Sequence, residues 1–425
     1  MTHEGHVIPV RGGHGEYGAD GNESIAATVR AFYERHPYPA PPEDLDAYRT
    51  RMNDDRVRVT EHRLFWPNLT LRDNFSVLIA GCGTVQAVKH AMRWPNAHIV
   101  GIDVSEASIE RTAALKERYG LKNLELACLP VEQAGRLHQR FDQIICTGVL
   151  HHLPDPDVGL LALREVLAPG GAMHLMLYAP YGRTGIYLLQ DYCRRLGIGS
   201  SLTDIHELDA ALRQLPQGHA LWPLLKASPD FRYEAGLADA LLHPRDRPYS
   251  VPEFFEFVKR GGLRFGRWLR QAPYLPHCGA PSKTPHYGRL AKLGGVEQYA
   301  AMELFRGNMV RHSAILYRDD EQTANQTINF AGESWLDYRP VRLPETVCVE
   351  EQLPPGAAGV LINRRHIDKD IYLPINSVEK QLVLAIDGVR SVRDLMKAYG
   401  HRQPLKMLFQ RLWWYDQIVF DTSNL

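Results

Sequence analysis

The feature that most constrains this chain is a regular alternation of apolar strands and helical stretches. Strands are predicted at 76–80, 98–103, 124–127, 141–147 and 172–178, with helices between most of them, and two more at 263–269 and 313–318. Strands that are separated by helices pair in parallel, and the helices cover both faces of the sheet. The alternation therefore predicts an α/β fold built on one mostly parallel sheet.

Composition and charge exclude several classes of protein. The chain has 49 Lys plus Arg and 49 Asp plus Glu, so no overall field attracts nucleic acid or an anionic membrane. Its six cysteines form no C-x-x-C pair, which argues against a disulfide framework or a structural metal site and indicates a reducing compartment. No long apolar stretch or signal-like segment is present. We therefore expect a cytoplasmic protein without membrane, nucleic-acid or metal partners.

The chain divides into four predicted regions. Residues 1–22 are rich in glycine and predict a flexible tail, and 23–70 predict a helical cap that includes the proline-rich run from His36. The sheet and its helices occupy 71–320, with irregular helical insertions at 183–250 and 271–308 that we expect to roof a pocket. After a polar linker, 335–425 has a winged-helix-like order of elements: a short strand at 371–373, a helix-start box at Asn376, a helix that ends at Gly400 and another that begins at Pro404.

Glycines at the end of the first strand predict a ligand site. In Gly81-Cys82-Gly83 the absence of a Cβ allows a tight turn and close approach of a ligand. Asp103 ends the second strand 20 residues after Gly83, the placement expected of a carboxylate that accepts hydrogen bonds from ribose hydroxyls. A dinucleotide fingerprint needs a third glycine where this chain has Gln86, so a nicotinamide cofactor is disfavoured.

Four motifs together resemble the class I S-adenosylmethionine-dependent methyltransferases over about residues 70–320: GCGT at 81–84, GID at 101–103, FDQIICTGVLHHLPDP at 141–156 and LREVLAPGG at 163–171. The resemblance implies a Rossmann-like seven-stranded sheet whose last strand is antiparallel beside the sixth. It also implies S-adenosylmethionine as cofactor, with the methionine part at Gly81, Cys82 and Gly83, the ribose on Asp103, the adenine between Val104, Leu129 and Pro130, and the sulfonium near Thr147 and Gly148.

Two positions depart from the family pattern. Ile79 stands where an acidic residue is common, and Val85 replaces the usual glycine after Thr84. A relative that has lost activity therefore remains a second interpretation.

Candidate catalytic residues follow the fourth and fifth strands. His151 and His152 could accept a proton if the nucleophile arrives protonated, or they could only shape the loop. Tyr178, Tyr181 and Arg183 follow the fifth strand at the carboxyl edge where open α/β sheets bind ligands. The tyrosine rings could favour the sulfonium cation, with Tyr181 the candidate nearest to catalysis, or pack beneath the insertion.

Candidate substrate contacts lie in two further segments. Arg245 and Arg247, with Tyr249, precede a predicted helix, and the two guanidinium groups could hold an anionic group or form surface ion pairs. Tyr38 lies in the proline-rich run, which could cover the cofactor or pack as a rigid strap against the sheet edge.

The C-terminal region resembles the small winged-helix peptide-binding modules found beside peptide-modifying enzymes of the pyrroloquinoline-quinone pathway. Its 12 Lys plus Arg against 11 Asp plus Glu disfavour a DNA-binding role. We therefore predict a methyltransferase that acts on oxygen, nitrogen or carbon of a small molecule. The alternatives are a peptide or protein methyltransferase recruited by this region, and a non-catalytic peptide-binding relative with a vestigial core. Packing on the core or homodimerisation are the other roles open to the region.

Overall fold

A computed structural model describes residues 19–40, 44–320, 328–399 and 405–425. Its main sheet has seven strands: β1 (Ser76–Ala80), β2 (His98–Asp103), β3 (Leu124–Cys128), β4 (Phe141–Thr147), β5 (Leu167–Tyr178), β6 (Leu263–Trp268) and β7 (Arg311–Arg318). Their order is β3-β2-β1-β4-β5-β7-β6, and β7 runs antiparallel to both neighbours. The predicted fold class is confirmed, including the antiparallel last strand.

Helices cover both faces of this sheet, as the apolar strands require. The N-terminal part contributes α1 (Ala19–Arg35), α2 (Asp46–Met52) and α3 (Asp55–Phe65), and the sheet region contributes α4 (Gln86–Arg93), α5 (Glu106–Tyr119) and α6 (Pro156–Val166). Ser105 caps α5 by accepting a hydrogen bond from the Ser108 amide, and Asp155 caps α6, which has Pro156 in its first turn. Local capping therefore fixes where both helices begin.

The N-terminal helix begins earlier than the sequence predicts. Residues 1–18 of the predicted tail lie outside the described residues, but α1 starts at Ala19, so 19–22 are helical and their assignment to the tail is wrong. Phe32 of α1 packs in an apolar cluster with Ile186 and Leu237 of the first insertion. Because tertiary packing supplies most of a helix's stability, this contact anchors the carboxyl-terminal end of α1.

The first insertion forms a helical cover. It contains α7 (Thr184–Leu196), α8 (Leu202–Leu212), α9 (Trp222–Ala227) and α10 (Glu234–Leu241), and α11 (Val251–Arg260) then leads into β6. Ser201 and Asp204 form a capping box at the start of α8. His36, just after α1, is bonded through Nε2 to the Ser200 carbonyl at 2.8 Å. The N-terminal helix and the insertion therefore act as one layer over the ends of the strands.

The second insertion contains α12 (Tyr287–Leu290) and α13 (Gly295–Arg306). The sequence predicts that this insertion, 271–308, roofs the pocket. Gly307 and Asn308 at its end do line the cavity, whereas Ala272, Leu275 and Cys278 share an apolar cluster with the C-terminal region. In the described part of the chain, no helix combines the length and apolar character needed to cross a bilayer.

The C-terminal region has its own small sheets and helices: β8 (Arg339–Arg342), β9 (Thr346–Val349), β10 (Gly359–Asn363), β11 (Leu373–Ile375), α14 (Ser377–Ala385), α15 (Val392–Ala398), α16 (Lys406–Trp414) and β12 (Ile418–Asp421). One antiparallel sheet has the order β11-β10-β9, and β12 pairs with β8. The strand predicted at 371–373 lies at 373–375, because Val360 and Leu361 set its register against Pro374 and Leu373. The helix limits predicted at Gly400 and Pro404 lie outside the described residues, and the winged-helix likeness stays a prediction.

The C-terminal region is joined to the main sheet by buried polar contacts. Asp416 accepts hydrogen bonds from the Arg267 side chain and the Ala272 amide, each at 3.0 Å. The Thr422 amide donates to the Pro67 carbonyl at 2.7 Å. These contacts link the end of the chain to β6 and to the segment that follows α3.

Candidate active site

A large cavity lies at the carboxyl ends of β1, β2, β4 and β5. Its volume is about 1130 Å³, and α1, α9 and α10 supply the walls opposite the sheet. Sites for one small ligand commonly measure roughly 300–1,000 Å³. The cavity therefore has room for a nucleoside cofactor and a second ligand.

Neighbouring protein atoms leave no room for a side chain at Gly81 or Gly83, in the loop after β1. Gly81 and Gly83 have φ values of +71° and +53°, which L side chains rarely adopt. A Cβ on Gly81 would overlap the side chain of Val149, and one on Gly83 would lie 2.6 Å from the Tyr38 carbonyl oxygen. The Thr84 hydroxyl also donates to the Pro39 carbonyl. The proline-rich strap therefore rests directly on the glycine loop.

Asp103 is held at the cavity wall with capacity for a ligand. Its Oδ2 accepts from the Gly83 amide at 2.8 Å and its Oδ1 from the Ser105 amide at 3.0 Å. Burial raises the pKa of this carboxyl above its usual value, although the backbone donors oppose the shift. Each oxygen has a further lone pair, so the group can also accept from ribose hydroxyls. These free acceptor positions fit the ribose hydroxyls of S-adenosylmethionine.

Most of the other predicted cofactor contacts lie in the same wall: Cys82, Val104, Pro130, Thr147 and Gly148. Leu129 does not, and its predicted adenine contact is corrected, because its side chain packs in the apolar core under the sheet. Sequence reasoning missed Gln86, whose amide donates to Thr147 Oγ1 at 3.0 Å, and Met176. Of the two departures from the family pattern, Ile79 is fully buried in the core and Val85 lies in the wall.

The two adjacent histidines have different positions. His151 is fully buried outside the cavity lining, neither ring nitrogen has a hydrogen-bond partner among the described residues, and burial lowers its pKa far below the usual value. Its predicted role as a base is therefore corrected. His152 lines the cavity, and its Nδ1 lies 2.6 Å from the Arg245 carbonyl. A carbonyl only accepts, so Nδ1 carries the proton and Nε2 has the free lone pair.

The ring of Tyr178 has little free face. The Arg183 guanidinium carbon lies 3.5 Å from its centroid, and the His151 ring stacks at 4.0 Å. Arg183 is itself paired with Asp246 at 2.8 Å. The expectation that the face of this ring meets the sulfonium is therefore corrected. A ligand can reach the edge of the ring that carries the hydroxyl group. Tyr38, Tyr178, Tyr181 and Arg183 all line the cavity.

The segment before α11 carries three predicted substrate contacts, Arg245, Arg247 and Tyr249. None of them lines the cavity, so that prediction is corrected. Arg245 donates to the Leu153 carbonyl at 2.8 Å and to the Pro154 carbonyl at 2.9 Å, so its guanidinium fixes the loop after β4. Arg247 lies over the Tyr249 ring at 4.8 Å, and Tyr249 is buried in the core.

Tyr33 and Asp239, which the sequence analysis missed, line the part of the cavity that α1 and α10 bound. The Tyr33 hydroxyl donates to Oδ1 of Asp239 at 3.0 Å, and both residues line the wall. Asp239 is 5% exposed, and burial raises its pKa above the usual value. A lone carboxylate within the apolar run Leu-Ala-Asp-Ala-Leu was the available signal.

Although the sequence predicts no metal site, the fold gathers two groups of possible ligands. The ligand atoms lie within 4.8 Å of one another in each group: His151, His152 and Asp246, and His152, Asp239 and His243.

A loop of the C-terminal region reaches the rim of the cavity. Ile367 lines it and is 69% exposed. The next residue, Asp368, accepts through Oδ1 from the side-chain amide Nδ2 of Asn308 at 2.7 Å and pairs with Arg306 at 3.4 Å. The loop between β10 and β11 is therefore fixed to the end of α13.

Comparison with known proteins defines the class. A family model described as a methyltransferase domain matches residues 78–173. An uncharacterised Synechococcus protein is 29% identical over 342 residues, which cover 75% of this chain and 78% of that protein. The malonyl-[acyl-carrier protein] O-methyltransferase of Acetivibrio thermocellus is 33% identical over 129 residues, 30% of this chain and 44% of that enzyme.

A solved structure shares the fold over most of both chains. PKMT2 from Rickettsia typhi, in complex with AdoHcy, has a TM-score of 0.62 at 16% identity, covering 91% of this chain and 78% of its own. The family match and the strand order confirm that the chain carries a class I S-adenosylmethionine-dependent methyltransferase domain. Its cofactor is S-adenosylmethionine.

Proposed function

We propose that this chain is an enzyme of class EC 2.1.1 that methylates a small molecule within the cavity. The supporting observation is the cavity itself, whose volume of about 1130 Å³ joins the glycine loop and Asp103 to a second half bounded by α1 and α10. In-line methyl transfer depends on holding the nucleophile against the methyl carbon and on excluding water. A roofed site with room for both ligands meets these needs.

In the proposed site, specific residues contact each part of S-adenosylmethionine. Asp103 holds the ribose, Val104 and Pro130 flank the adenine, and Thr147 and Gly148 border the sulfonium. When bound, S-adenosylmethionine supplies an electrophilic methyl group. His152 is a candidate to take a proton, because its ring lines the cavity, its Nδ1 is held by the Arg245 carbonyl, and its buried Nε2 has no hydrogen-bond partner among the described residues.

The test combines binding with acceptor capture. Titration calorimetry of the full chain should detect S-adenosylhomocysteine, and methyl-labelled S-adenosylmethionine should label a cell extract separated into small-molecule and protein fractions. Label in the small-molecule fraction supports the proposal. Absence of S-adenosylhomocysteine binding contradicts it.

A peptide acceptor is the second candidate, and Ile367 is the observation that favours it. An exposed apolar side chain at the rim, supplied by the C-terminal region, is suited to contact a ligand that extends out of the cavity. Label confined to the protein fraction, and reduced by Ile367→Asp but not by Val389→Asp at a similarly exposed position, would favour this candidate.

A further inference from the structure

We propose that the acceptor is an amine that enters as a cation, is bound by Asp239 and Tyr33, and gives its proton to His152. This inference rests on the proposed function and specifies the chemistry of its second ligand. Nothing in it depends on whether the amine belongs to a small molecule or to a peptide side chain.

Asp239 places a buried carboxyl group in the cavity wall. Its side chain accepts one hydrogen bond, from the Tyr33 hydroxyl, and within the described ranges no cation is bonded to it. The nearby Arg183 is committed to Asp246, with side-chain exposures of 8% and 1%. A buried carboxylate is costly unless it is paired, so this wall favours a ligand that brings a positive charge.

The other charged side chains of the wall leave this conclusion in place. Apart from Asp103 of the cofactor site, they are Lys89 and Glu132 near the cofactor loops, Asp230 beside α10, and Arg311 at the start of β7. Arg311 is exposed, so water screens its charge. None of these four is hydrogen-bonded to Asp239 in the part of the chain that the structure describes.

Aromatic groups complete a site for an ammonium. The Tyr33 and Tyr38 rings line the same cavity, and tyrosine faces attract cations. The Tyr178 ring is covered by Arg183 and His151, which leaves its hydroxyl oxygen as an acceptor for an N–H group. A carboxylate, two hydroxyl oxygens and two rings match the donors and the charge of an amine.

The proton has a defined destination. An ammonium has no lone pair for attack, so it first gives one proton to Nε2 of His152, whose Nδ1 is held at 2.6 Å by the Arg245 carbonyl. Bound S-adenosylmethionine supplies the methyl group: as the N–C bond forms, the S–C bond breaks and its electron pair stays on sulfur. The methylated amine carries the positive charge away, and His152 returns its proton to solvent.

The same residues suit an organic cation better than a metal ion. The His152 and His243 rings are stacked at 3.9 Å and tilted by 35°, so their in-plane lone pairs run side by side instead of converging. His243 Nδ1 accepts from the Arg245 amide at 3.1 Å, which places the proton of the neutral ring on Nε2. A protonated nitrogen cannot bind a metal.

The test compares two probes of equal length, 6-aminohexanamide and 6-hydroxyhexanamide, with the full chain saturated with S-adenosylhomocysteine. Calorimetry should detect the amine and not the alcohol. Asp239→Asn should weaken amine binding by about tenfold or more while S-adenosylhomocysteine affinity stays unchanged. Asp191→Asn, which removes the same charge from the surface of α7, should change neither.

A second variant tests the proton step. His152→Gln should still bind the amine, but methylation followed by mass spectrometry should fall at neutral pH and recover at high pH, where solution deprotonates the amine. A matching loss at every pH would contradict the role of His152 as a base.

Three results would overturn the inference. The alcohol could bind or be methylated as well as the amine, Asp239→Asn could leave amine affinity unchanged, or amine binding could require added Zn²⁺ or Mn²⁺ and vanish with a chelator. Normal S-adenosylhomocysteine binding in these experiments would leave the proposed function standing, whereas its absence would remove both.

Discussion

Asp103 joins the cofactor loop to the cavity, since its two oxygens accept from the Gly83 and Ser105 amides while facing the ligand space. Its removal would leave two backbone donors without their acceptor and the ribose without a carboxylate. At the residue scale, this side chain is therefore the most direct test of the cofactor site.

We expect Asp103→Ala to weaken S-adenosylhomocysteine binding by about tenfold or more, because hydrogen bonds to a charged group contribute roughly 1.5–3 kcal/mol. Titration calorimetry measures the change. Glu110→Ala, which removes an exposed carboxylate from the same region, should bind normally. Equal affinities for the wild-type chain and Asp103→Ala would show that the ribose lies elsewhere.

Buried histidines should make the fold sensitive to acid. Burial lowers the pKa of His62, His174 and His277 from the usual 6.5 to about 4. Each stays neutral in the folded chain while the unfolded chain binds a proton, so the stability it contributes is present above pH 6.5 and is lost as pH falls toward 4. The slope is at most about 1.4 kcal/mol per pH unit for each histidine.

We therefore expect the free energy of unfolding in urea to fall markedly between about pH 7 and pH 5. His62→Gln should lose less stability over this range than the wild-type chain, whereas His286→Gln, at an exposed position, should follow the wild type. A free energy that is constant over this interval would rule out the burial effect.

At the scale of elements, the strap over the glycine loop makes one glycine more sensitive than another. Gly83→Ala places a Cβ 2.6 Å from the Tyr38 carbonyl oxygen, whereas a Cβ on Gly120 would meet no described atom within 4 Å beyond its own chain neighbours. Both have positive φ, +53° and +63°, so both substitutions carry the cost of left-handed backbone, roughly 1–2 kcal/mol.

Only Gly83→Ala should also displace the strap. We expect it to lose more stability in urea than Gly120→Ala and to reduce S-adenosylhomocysteine affinity, which Gly120→Ala should leave intact. If the two variants behave alike in both measurements, the strap does not depend on the bare glycine.

Local patterns predict the elements well where their causes are local. The strands at 76–80 and 141–147 follow from the short apolar runs 77–80 and 144–146, and the helix start at Asn376 follows from its capping box with Glu379. The early start of α1 is not predicted, because 19–24 is mostly polar and contains a glycine, which is a poor helix former.

The same distinction divides the candidate site. Glycines and a carboxylate at adjoining strand ends predict the cofactor half, because the topology brings those ends together. The pairing of Tyr33 with Asp239 spans 206 residues, and no short motif encodes it. Arg245 and Leu129 were misplaced because sequence gives their position on a loop but not the side of the loop that they face.

In the molecule as a whole, Asp416 is a main link between the main sheet and the C-terminal region. It is buried with the Arg267 side chain and the Ala272 amide as donors, and His366 lies 3.1 Å away. Breaking a buried ion pair by removing one partner costs about 3–5 kcal/mol. The link should therefore dominate the stability of the junction.

We expect Asp416→Ala to lower the free energy of unfolding in urea by about 3–5 kcal/mol. Asp337→Ala breaks a surface pair with Arg393, whose members are 45% and 40% exposed, and should cost about 1 kcal/mol or less. Similar losses of unfolding free energy for the two variants would show that the Asp416 contacts do not join the main sheet to the C-terminal region.

Deleting 335–425 would not isolate the role of the C-terminal region. The deletion would remove the apolar partners that bury three residues of the second insertion, Ala272, Leu275 and Cys278. Single substitutions such as Ile367→Asp test that role without exposing this surface.

Since Ile367 borders the cavity, the C-terminal region helps to set the space that is open to an acceptor. A lineage that turns to a bulkier acceptor has to alter the β10–β11 loop along with the strand ends. Exchanging C-terminal regions between homologues should then alter which compounds are accepted, even where every cofactor contact is retained.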